Sequence, residues 1–330
     1  MPKVLIAPTT LAGVDASFVR VLQDAGLELV YHGLPAQLNE AQLLDALTGI
    51  EASLAGSEPY TPRVFQAHPQ LKVVARVGVG YDAVDVAAAT ASGAAVTIAP
   101  GTNQGSVAEH TFCLMLALVK HLIPQHTGVR DGGWPRGTNL PLRGRTLGIA
   151  GLGRIGKAMT TRAQAFEMRV IAHDPFPDNA WAGQYGVPLV SMEELLRESD
   201  FVSLHMPALP QTQYLINRTT LALMKPTAFL INTSRGVVIH EADLYEALRS
   251  RRIAGAGLDV FEQEPPAPDN PLLKLDNVVL TPHAAGVDLR SRDDMAESAA
   301  AAIASLWKGE WPAEKVVNPQ VRERFAWKRR

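Results

Sequence analysis

Three side chains in the second half of the chain could together reduce a carbonyl group that lies beside a carboxylate. Arg235 follows the apolar run LINTS, His283 follows VVLTP, and Glu264 lies in the loop VFEQEPP between the last two predicted strands. An arginine can bind a carboxylate through two parallel hydrogen bonds, and a histidine can donate a proton to a carbonyl oxygen. A carboxylate beside that histidine keeps it protonated near neutral pH. These residue types are therefore suited to the reduction of a 2-oxo acid.

The hydride for such a reduction must come from a cofactor, and a glycine-rich turn predicts where that cofactor binds. Gly151, Gly153 and Gly156 stand in TLGIAGLGRIGKAM, and Asp174 ends the next apolar run, RVIAHD. The first glycine allows a sharp turn, the second lets the backbone approach a pyrophosphate, and the third lets a helix pack closely on the sheet. Asp174 can accept hydrogen bonds from ribose hydroxyls and would repel a 2′-phosphate. The pattern predicts NAD rather than NADP.

A second glycine pattern occurs earlier in the chain, in VVARVGVGYDAVD. Here Gly78, Gly80 and Ala83 satisfy the loose form of the motif. The strand-like run that follows ends without a carboxylate that could reach a ribose. Because the motif requires strand, glycine turn, helix, strand and acid in that order, we assign the nucleotide site to the copy at 151–156. The earlier copy needs another explanation.

Length and composition fit a globular protein with two domains. The chain has 330 residues, of which 47% are hydrophobic and 19% charged, and its formal net charge is −2. That charge does not favour a nucleic-acid partner, and the basic end RERFAWKRR is expected to be solvated.

The sequence predicts no membrane-spanning segment, no intrachain disulfide and no metal site. No apolar run approaches the ~18 residues that span a membrane, and the apolar start is too short for a signal peptide. A single cysteine, Cys113, excludes an intrachain disulfide and a thiolate zinc site. We therefore expect a cytoplasmic protein with no metal and no membrane partner.

Short β-rich runs alternate with helical stretches along the whole chain, which is typical of parallel sheets built from βαβ units. The expected fold is α/β, with two doubly wound parallel-sheet lobes. A Rossmann NAD-binding domain at 102–288 is expected to be inserted in a discontinuous flavodoxin-like substrate domain, formed by 1–101 and 289–330. A ligand would lie in the cleft between two such lobes. The predicted strands are 3–7, 28–31, 52–55, 73–77 and 95–98, then 146–150, 169–172, 201–204, 228–232, 255–258 and 278–281.

The segment SVAEHTFCLMLALVKH, from Ser106 to His121, predicts a long and largely apolar helix. Ser106 and Glu109 have the spacing of a capping box, which would begin the helix. Such an apolar helix must be buried between layers or against a partner. His110 is assigned to a packing or interface position, and Trp134 either packs locally or reaches across a dimer interface.

Several motifs together resemble the D-isomer-specific 2-hydroxyacid dehydrogenase family, including its phosphoglycerate dehydrogenase-like and glyoxylate or hydroxypyruvate reductase-like members. The resemblance covers nearly the whole chain and implies an NAD-dependent enzyme that interconverts a small 2-oxo acid and its D-2-hydroxy acid. The motifs are VARVGVGYDAVD at 74–85, SVAEHT at 106–111, GLGRIG at 151–156, INTSRGVVI at 231–239, GLDVFEQEP at 257–265 and TPHAAG at 281–286.

The resemblance also implies roles for individual residues. Arg235 would bind the substrate carboxylate, His283 would exchange the proton, and Glu264 would be its partner. The backbone N–H groups around 77–80 would face the substrate carboxylate as an anion nest, which explains the earlier glycine pattern. A homodimer built around the helix at 106–121 is implied as well. The implied substrate-binding residues are Val77, Gly78, Val79, Gly80, Arg235 and His283. The implied cofactor-binding residues are Gly151, Gly153, Arg154, Ile155, Gly156, Asp174, Thr233, Ser234, Arg235, Asp259, His283, Ala285 and Gly286, with His205 open between a cofactor contact and a structural role.

Several alternatives for the substrate and the function stay open. Glu264 disfavours formate, because formate dehydrogenases that resemble this scheme carry a glutamine there. A phosphoglycerate substrate would need a basic cluster near the loop GSEPYT at 56–61, which contains Glu58 but no lysine or arginine, although Arg76 and Arg63 could serve. Phosphoglycerate dehydrogenase proper, phosphite oxidation and an NAD-sensing corepressor-like binding protein remain alternatives.

Overall fold

Two compact units make up the chain in the computed structural model, which describes residues 1–327. The first unit contains Met1–Asn103 and the described residues from Asp288 onward, and the second contains Gln104–Val287. Each unit is built around one parallel sheet flanked by helices, so the fold is α/β, as predicted.

The sheet of the first unit has the strand order β2-β1-β3-β4-β5, with all strands parallel. The strand order reverses between β1 and β3. Ligands of such sheets bind at this point, beyond the carboxyl ends of the strands. The strands are β1 Lys3–Ile6, β2 Glu28–Tyr31, β3 Ala52–Ala55, β4 Val73–Arg76 and β5 Ala95–Thr97.

The helices of the first unit pack on this sheet through small and aliphatic side chains. Ala296, Ala299 and Ala300 share a buried cluster with Phe18, because alanine allows two helices to approach closely. The helices are α1 Ser17–Asp24, α2 Glu40–Ala46, α3 Pro62–Ala67, α4 Val86–Ala91 and, after the second unit, α12 Leu289–Lys308, with short 3-10 helices at Thr9–Leu11 and Pro319–Glu323.

The sheet of the second unit has the order β11-β10-β9-β8-β6-β7, again all parallel. A single parallel bridge from Ala172 to Leu189 stands beside β7, where a Rossmann sheet has its third strand. The strand order reverses between β6 and β8, so the expected ligand site lies beyond the carboxyl end of β6. The strands are β6 Thr146–Ala150, β7 Arg169–His173, β8 Phe201–Leu204, β9 Phe229–Asn232, β10 Gly255–Leu258 and β11 Val278–Leu280.

Helices cover this second sheet, and most of α5 is buried. They are α5 Gln104–Val119, α6 Leu122–Arg130, α7 Arg154–Ala165, α8 Asn179–Gln184, α9 Met192–Glu198, α10 Arg218–Leu221 and α11 Glu241–Arg249, with 3-10 helices at Gly236–Val238 and Pro271–Lys274. Within the described part of the chain, no single helix is long and apolar enough to cross a membrane. The pair α5 and α6, bent by 62°, meets that test of length and composition when the two helices are taken together.

The capping box predicted at the start of the long helix is wrong. The helix α5 begins two residues before Ser106, whose hydroxyl donates to the carbonyl of Ala285 at 2.8 Å. Glu109 instead forms an ion pair of 2.9 Å with Arg162. The helix also ends before His121, which has a left-handed backbone (φ 49°) and begins α6. Both side chains of the predicted box thus serve tertiary contacts.

The basic end expected to be solvated is exposed at Arg322, Glu323 and Arg324, but its aromatic side chains pack against the first unit. Trp327 is 9% exposed, and its indole N–H donates to Glu51 at 3.0 Å. Its ring also lies 5.1 Å from that of Trp307, centroid to centroid. Residues 328–330 of the predicted tail lie outside the described residues.

A buried asparagine joins the C-terminal segment to the edge strand β5 through hydrogen bonds. Asn318 accepts a hydrogen bond from Val96 N–H and donates to the Ala94 carbonyl and the Thr90 hydroxyl, each at 2.9 Å. Its side chain is fully buried. The C-terminal segment is therefore an integral part of the first unit.

Replacing Asn318 by alanine should leave a buried N–H and a buried carbonyl without partners. We expect the free energy of unfolding to fall by about 2–4 kcal/mol, measured by urea denaturation followed by circular dichroism. The exposed neighbour Gln320 is the control. Gln320→Ala also removes an amide side chain, but it leaves no buried polar group without a partner. Equal stability of the two variants would contradict the structural role of Asn318.

Candidate active site

Steric constraints explain two of the three glycines in the turn after β6. Gly151 has φ +99°, in the left-handed region, and a Cβ there would lie 2.6 Å from the carbonyl oxygen of His205. A Cβ at Gly156 would overlap the carbonyl oxygen of Gly151. A Cβ at Gly153, in contrast, would meet no atom within 4 Å. Packing requires glycine at the first and third positions, while the second lies open.

The carboxylate of Asp174 is tied to the same turn. Its Oδ2 accepts a hydrogen bond of 2.8 Å from Leu152 N–H, and its Oδ1 accepts one of 2.8 Å from Phe176 N–H. Asp174 follows β7, the neighbour of β6, so the acid and the turn meet at one edge of the sheet. Each carboxylate oxygen can accept a further hydrogen bond from a ligand hydroxyl.

The open space beside Gly153 fits a pyrophosphate. Gly153 is the N-cap of α7, and no side chain within the described residues caps this helix. The first-turn amides therefore point to a space that a side chain at position 153 would fill, and the helix dipole favours an anion there. Arg154 is exposed at the first helical position, and Ile155 packs partly against the core.

A hydrogen bond of 2.6 Å joins His283 Nδ1 to Oε2 of Glu264. His283 follows β11 with a left-handed backbone (φ 54°), and its N–H donates to the Asp259 carbonyl at 2.8 Å. A left-handed histidine is uncommon, and such conformations concentrate at functional sites. The carboxylate fixes the ring through Nδ1, which leaves Nε2 as the atom that could exchange a proton with a ligand.

Glu264 is surrounded by groups that favour its charged form. Burial raises the pKa of Glu264, but the hydrogen bond and charge of His283, the Phe261 N–H and the charge of Arg235 outweigh burial and lower that pKa below its usual value. The Phe261 N–H donates to the carboxylate at 3.1 Å. An anion is thus placed where it stabilises an imidazolium.

Glu262, the other acid of this loop, has different partners. It accepts a hydrogen bond of 2.6 Å from Glu241 N–H at the start of α11. Its own N–H donates to the Glu241 carboxylate, also at 2.6 Å. The structure therefore brings Glu264, and not Glu262, to the histidine.

A polar turn after β9 positions Arg235. The buried Asn232 accepts hydrogen bonds from the N–H (3.0 Å) and the hydroxyl (2.8 Å) of Ser234 and donates to the Arg235 carbonyl at 2.9 Å. A Cβ at Gly236 would overlap the backbone of the loop that carries Glu264. Because glycine allows this close approach, the Arg235 charge acts on the Glu264 carboxylate.

Asp259 organises the turn that carries His283. Its buried carboxylate accepts hydrogen bonds from the Thr281 hydroxyl at 2.6 Å and from the N–H groups of Ala284 and Ala285 at 2.9 Å. Together with the bond from its carbonyl to His283 N–H, these contacts fix the turn on both sides of the histidine. Gly286 follows in the same loop.

His110 belongs to this network, which the sequence did not reveal. Its Nε2 lies 2.9 Å from the Thr281 hydroxyl and 3.6 Å from the Asp259 carboxylate. The next residue of α5, Thr111, contacts the Thr233 hydroxyl at 3.0 Å. Polar residues on the buried face of an apolar helix were the available signal. The assignment of His110 to packing overlooked these polar contacts.

The remaining predicted histidine, His205, follows β8. Its Nε2 lies 2.8 Å from the Ser203 hydroxyl, and burial lowers the pKa of His205 to about 3. The ring is therefore neutral near pH 7. Its backbone carbonyl faces Gly151, so His205 shapes the glycine turn through its main chain.

In the first unit, the segment 77–80 follows β4. The Val77 N–H donates to the Ala55 carbonyl at 2.8 Å, so the further amides of the segment are those of residues 78–80. Arg76 Nε donates to the Gly80 carbonyl at 2.7 Å, which bends the segment back toward β4.

Comparisons with known proteins agree with this architecture. Residues 112–285 match the family model described as D-isomer specific 2-hydroxyacid dehydrogenase, NAD binding domain. A glyoxylate reductase of Korarchaeum cryptofilum is 44% identical over 271 residues, which cover 80% of this chain and 81% of the relative. A D-3-phosphoglycerate dehydrogenase of Archaeoglobus fulgidus is 38% identical over 320 residues, which cover 96% of this chain but only 59% of that relative.

A solved structure extends the similarity to both units. The D-lactate dehydrogenase from Aquifex aeolicus, complexed with NAD and lactic acid, matches with a TM-score of 0.81 and 29% identity, over 96% of this chain and 99% of that chain. The family model covers more than half of the sequence, and relatives above 30% identity cover most of it. The chain therefore belongs to the D-isomer specific 2-hydroxyacid dehydrogenase family, and its second unit is the NAD-binding domain.

Proposed function

We propose that this protein uses NADH to reduce a small 2-oxo acid to its D-2-hydroxy acid, or catalyses the reverse reaction with NAD. The observation that carries the proposal is the hydrogen bond of 2.6 Å between His283 and Glu264, with the charge of Arg235 acting on the same carboxylate. A group for binding a carboxylate and an acid for a carbonyl oxygen are thus close together. The names of the relatives, which are glyoxylate reductases and D-3-phosphoglycerate dehydrogenases, support this reaction class.

The chain's own residues would divide the work of the reduction. NADH, when bound, supplies the hydride that C2 of the substrate receives. Arg235 holds the substrate carboxylate and polarises the adjacent carbonyl. His283, as an imidazolium, donates the proton from Nε2 to the carbonyl oxygen, so that C=O becomes CH–OH. Glu264 stabilises the charged ring, and in the reverse direction neutral His283 accepts the hydroxyl proton.

Each unit, taken by itself, offers residues for ligand binding. The turn at 151–156 would bind the pyrophosphate of NAD, and Asp174 would accept hydrogen bonds from the adenosine ribose. In the first unit, the amides of residues 78–80 would bind a substrate carboxylate. We place the domain borders after residues 101 and 288, which lie within two residues of the borders between the compact units. The N–H of Val77 is bonded to the Ala55 carbonyl, so Val77 would contact the substrate through its side chain and not through its N–H.

We also propose a homodimer formed through α5 and α6. The helix α6 has no buried residue within the described chain, and its Leu122, Ile123 and Val129 are about half exposed, at 57%, 50% and 49%. Trp134, shortly after it, is 77% exposed. Exposed apolar side chains of this number on one segment are typical of protein interfaces.

Replacing His283 by asparagine tests its role as the acid. Asparagine tolerates the left-handed backbone of this position but cannot donate a proton as an imidazolium does. We expect kcat to fall by about 10²- to 10⁴-fold. His121 is the matched control, because it is an exposed histidine with a similar left-handed backbone (φ 49°), and His121→Asn should keep wild-type turnover.

The assay follows NADH oxidation with glyoxylate, hydroxypyruvate, pyruvate, 2-oxoglutarate, phenylpyruvate and phosphohydroxypyruvate. Reduction of at least one of these by the wild-type enzyme is the expected result. Failure with all of them would contradict the proposed function. If the His283→Asn variant kept wild-type turnover, His283 would not be the acid, but the proposed reaction would stand.

Replacing Asp174 by alanine tests the cofactor preference. The loss of a charged acceptor for ribose hydroxyls should raise the KM for NADH by about 10- to 100-fold. The gap in kcat/KM between NADH and NADPH should narrow, because the carboxylate no longer repels a 2′-phosphate. Glu194→Ala removes an exposed acid from the same unit and should leave the preference unchanged. An Asp174→Ala enzyme with the wild-type preference would refute the role of the acid.

A further inference from the structure

Glu58 has no part in the mechanism above, yet its carboxylate is almost completely buried. The residue is 2% exposed and lies in the loop that follows β3. Its Oε2 accepts a hydrogen bond of 2.6 Å from Gly56 N–H. A Cβ at Gly56 would lie 2.8 Å from Oε1 of the same carboxylate. The loop is therefore folded around this acid, and a buried carboxylate of this kind needs a compensating charge.

That charge is supplied by Arg76 at the end of the neighbouring strand β4. Arg76 is 9% exposed, and its Nη1 donates to the Ala55 carbonyl at 3.1 Å, one residue before the amide that Glu58 binds. Burial raises the pKa of Glu58 above its usual value, although its own N–H, the charge of Arg76, the Gly56 N–H and the charge of His32 all act to lower that pKa. The guanidinium and the carboxylate thus bind the carbonyl and the N–H of the same peptide group, between Ala55 and Gly56, at the end of β3.

Arg76 also shapes the proposed substrate nest. Its Nε donates to the Gly80 carbonyl at 2.7 Å, and its Nη2 would lie 3.9 Å from a Cβ at Gly78. The cation therefore sits directly beneath the segment whose amides are proposed to bind the substrate carboxylate. An arginine at this place would attract a second anionic group on the substrate, unless a nearby carboxylate cancels its charge.

We propose that Glu58 is a specificity-determining residue that neutralises Arg76 and directs the enzyme to 2-oxo acids without a second anionic group. This inference rests on the proposed function, and in particular on carboxylate binding by residues 78–80. Small substrates with an uncharged substituent bind beside Glu58 and Arg76, whose charges cancel. A phosphate or second carboxylate meets no net positive charge, so the cost of removing its charge from water is not compensated, and such substrates are disfavoured.

The test compares kcat/KM for hydroxypyruvate and phosphohydroxypyruvate, which differ only in the phosphate. We expect the wild-type enzyme to prefer hydroxypyruvate by at least about 10-fold. In Glu58→Gln, which removes the charge and keeps the shape, this ratio should fall by about 10-fold, while kcat/KM for hydroxypyruvate stays within about 3-fold. Glu58→Asp keeps the charge and should keep most of the preference. Glu28→Gln removes an exposed acid from β2 and should leave the ratio unchanged.

Circular dichroism and thermal unfolding establish that each variant is folded, and Glu58→Ser provides a second uncharged variant should glutamine pack poorly. A wild-type preference for phosphohydroxypyruvate would overturn the inference. An unchanged ratio in a folded uncharged variant would overturn it as well, and both results leave the proposed function standing. A wild-type enzyme that reduces none of the 2-oxo acids would instead refute the proposed function, and the inference with it.

Discussion

The hydrogen bond between His283 and Glu264 depends on the packing of two neighbouring parallel strands. Glu264 lies in the loop after β10, and His283 follows β11, which pairs with β10 in register. Asp259, at the end of β10, holds the histidine turn through its carboxylate and its carbonyl. The left-handed backbone of His283 is maintained by these contacts, because an isolated residue of this type would rarely adopt it. The sheet thus fixes both partners before any ligand binds.

The two glycine patterns differ in what their neighbours do. In the second unit, an acid from the next strand is bonded to the turn, and the helix after it begins without a side-chain cap. These features suit a phosphate and a ribose. In the first unit, the buried Arg76 bends the segment after β4, and its charge acts on the buried Glu58. Different side chains therefore support the two similar sequences, which is the basis for proposing that their amides bind different anions.

Local sequence patterns predicted the parts that depend on neighbours in the chain. The apolar strands, the steric need for Gly151 and Gly156, and the position of Asp174 after β7 all follow from short-range rules. The capping box at Ser106 was wrong because Ala285 and Arg162, which are distant in sequence, bind its two side chains. Asn318, His110 and the Glu58–Arg76 pair were missed for the same reason. Each acts through partners that only the folded sheet brings together.

The most direct test is kcat/KM for reduction, measured at one neutral pH in the wild-type enzyme and in Glu264→Gln. Glutamine can still accept the hydrogen bond from Nδ1 but carries no charge, so the imidazolium of His283 loses its stabilising anion. Because its neighbours hold the pKa of Glu264 below its usual value, the carboxylate stays charged throughout the neutral range in the wild type. We therefore predict that kcat/KM falls by about 10- to 100-fold in the variant, the size expected when a charged hydrogen-bond partner is lost. An unchanged kcat/KM would contradict the claim that Glu264 supports proton donation by His283.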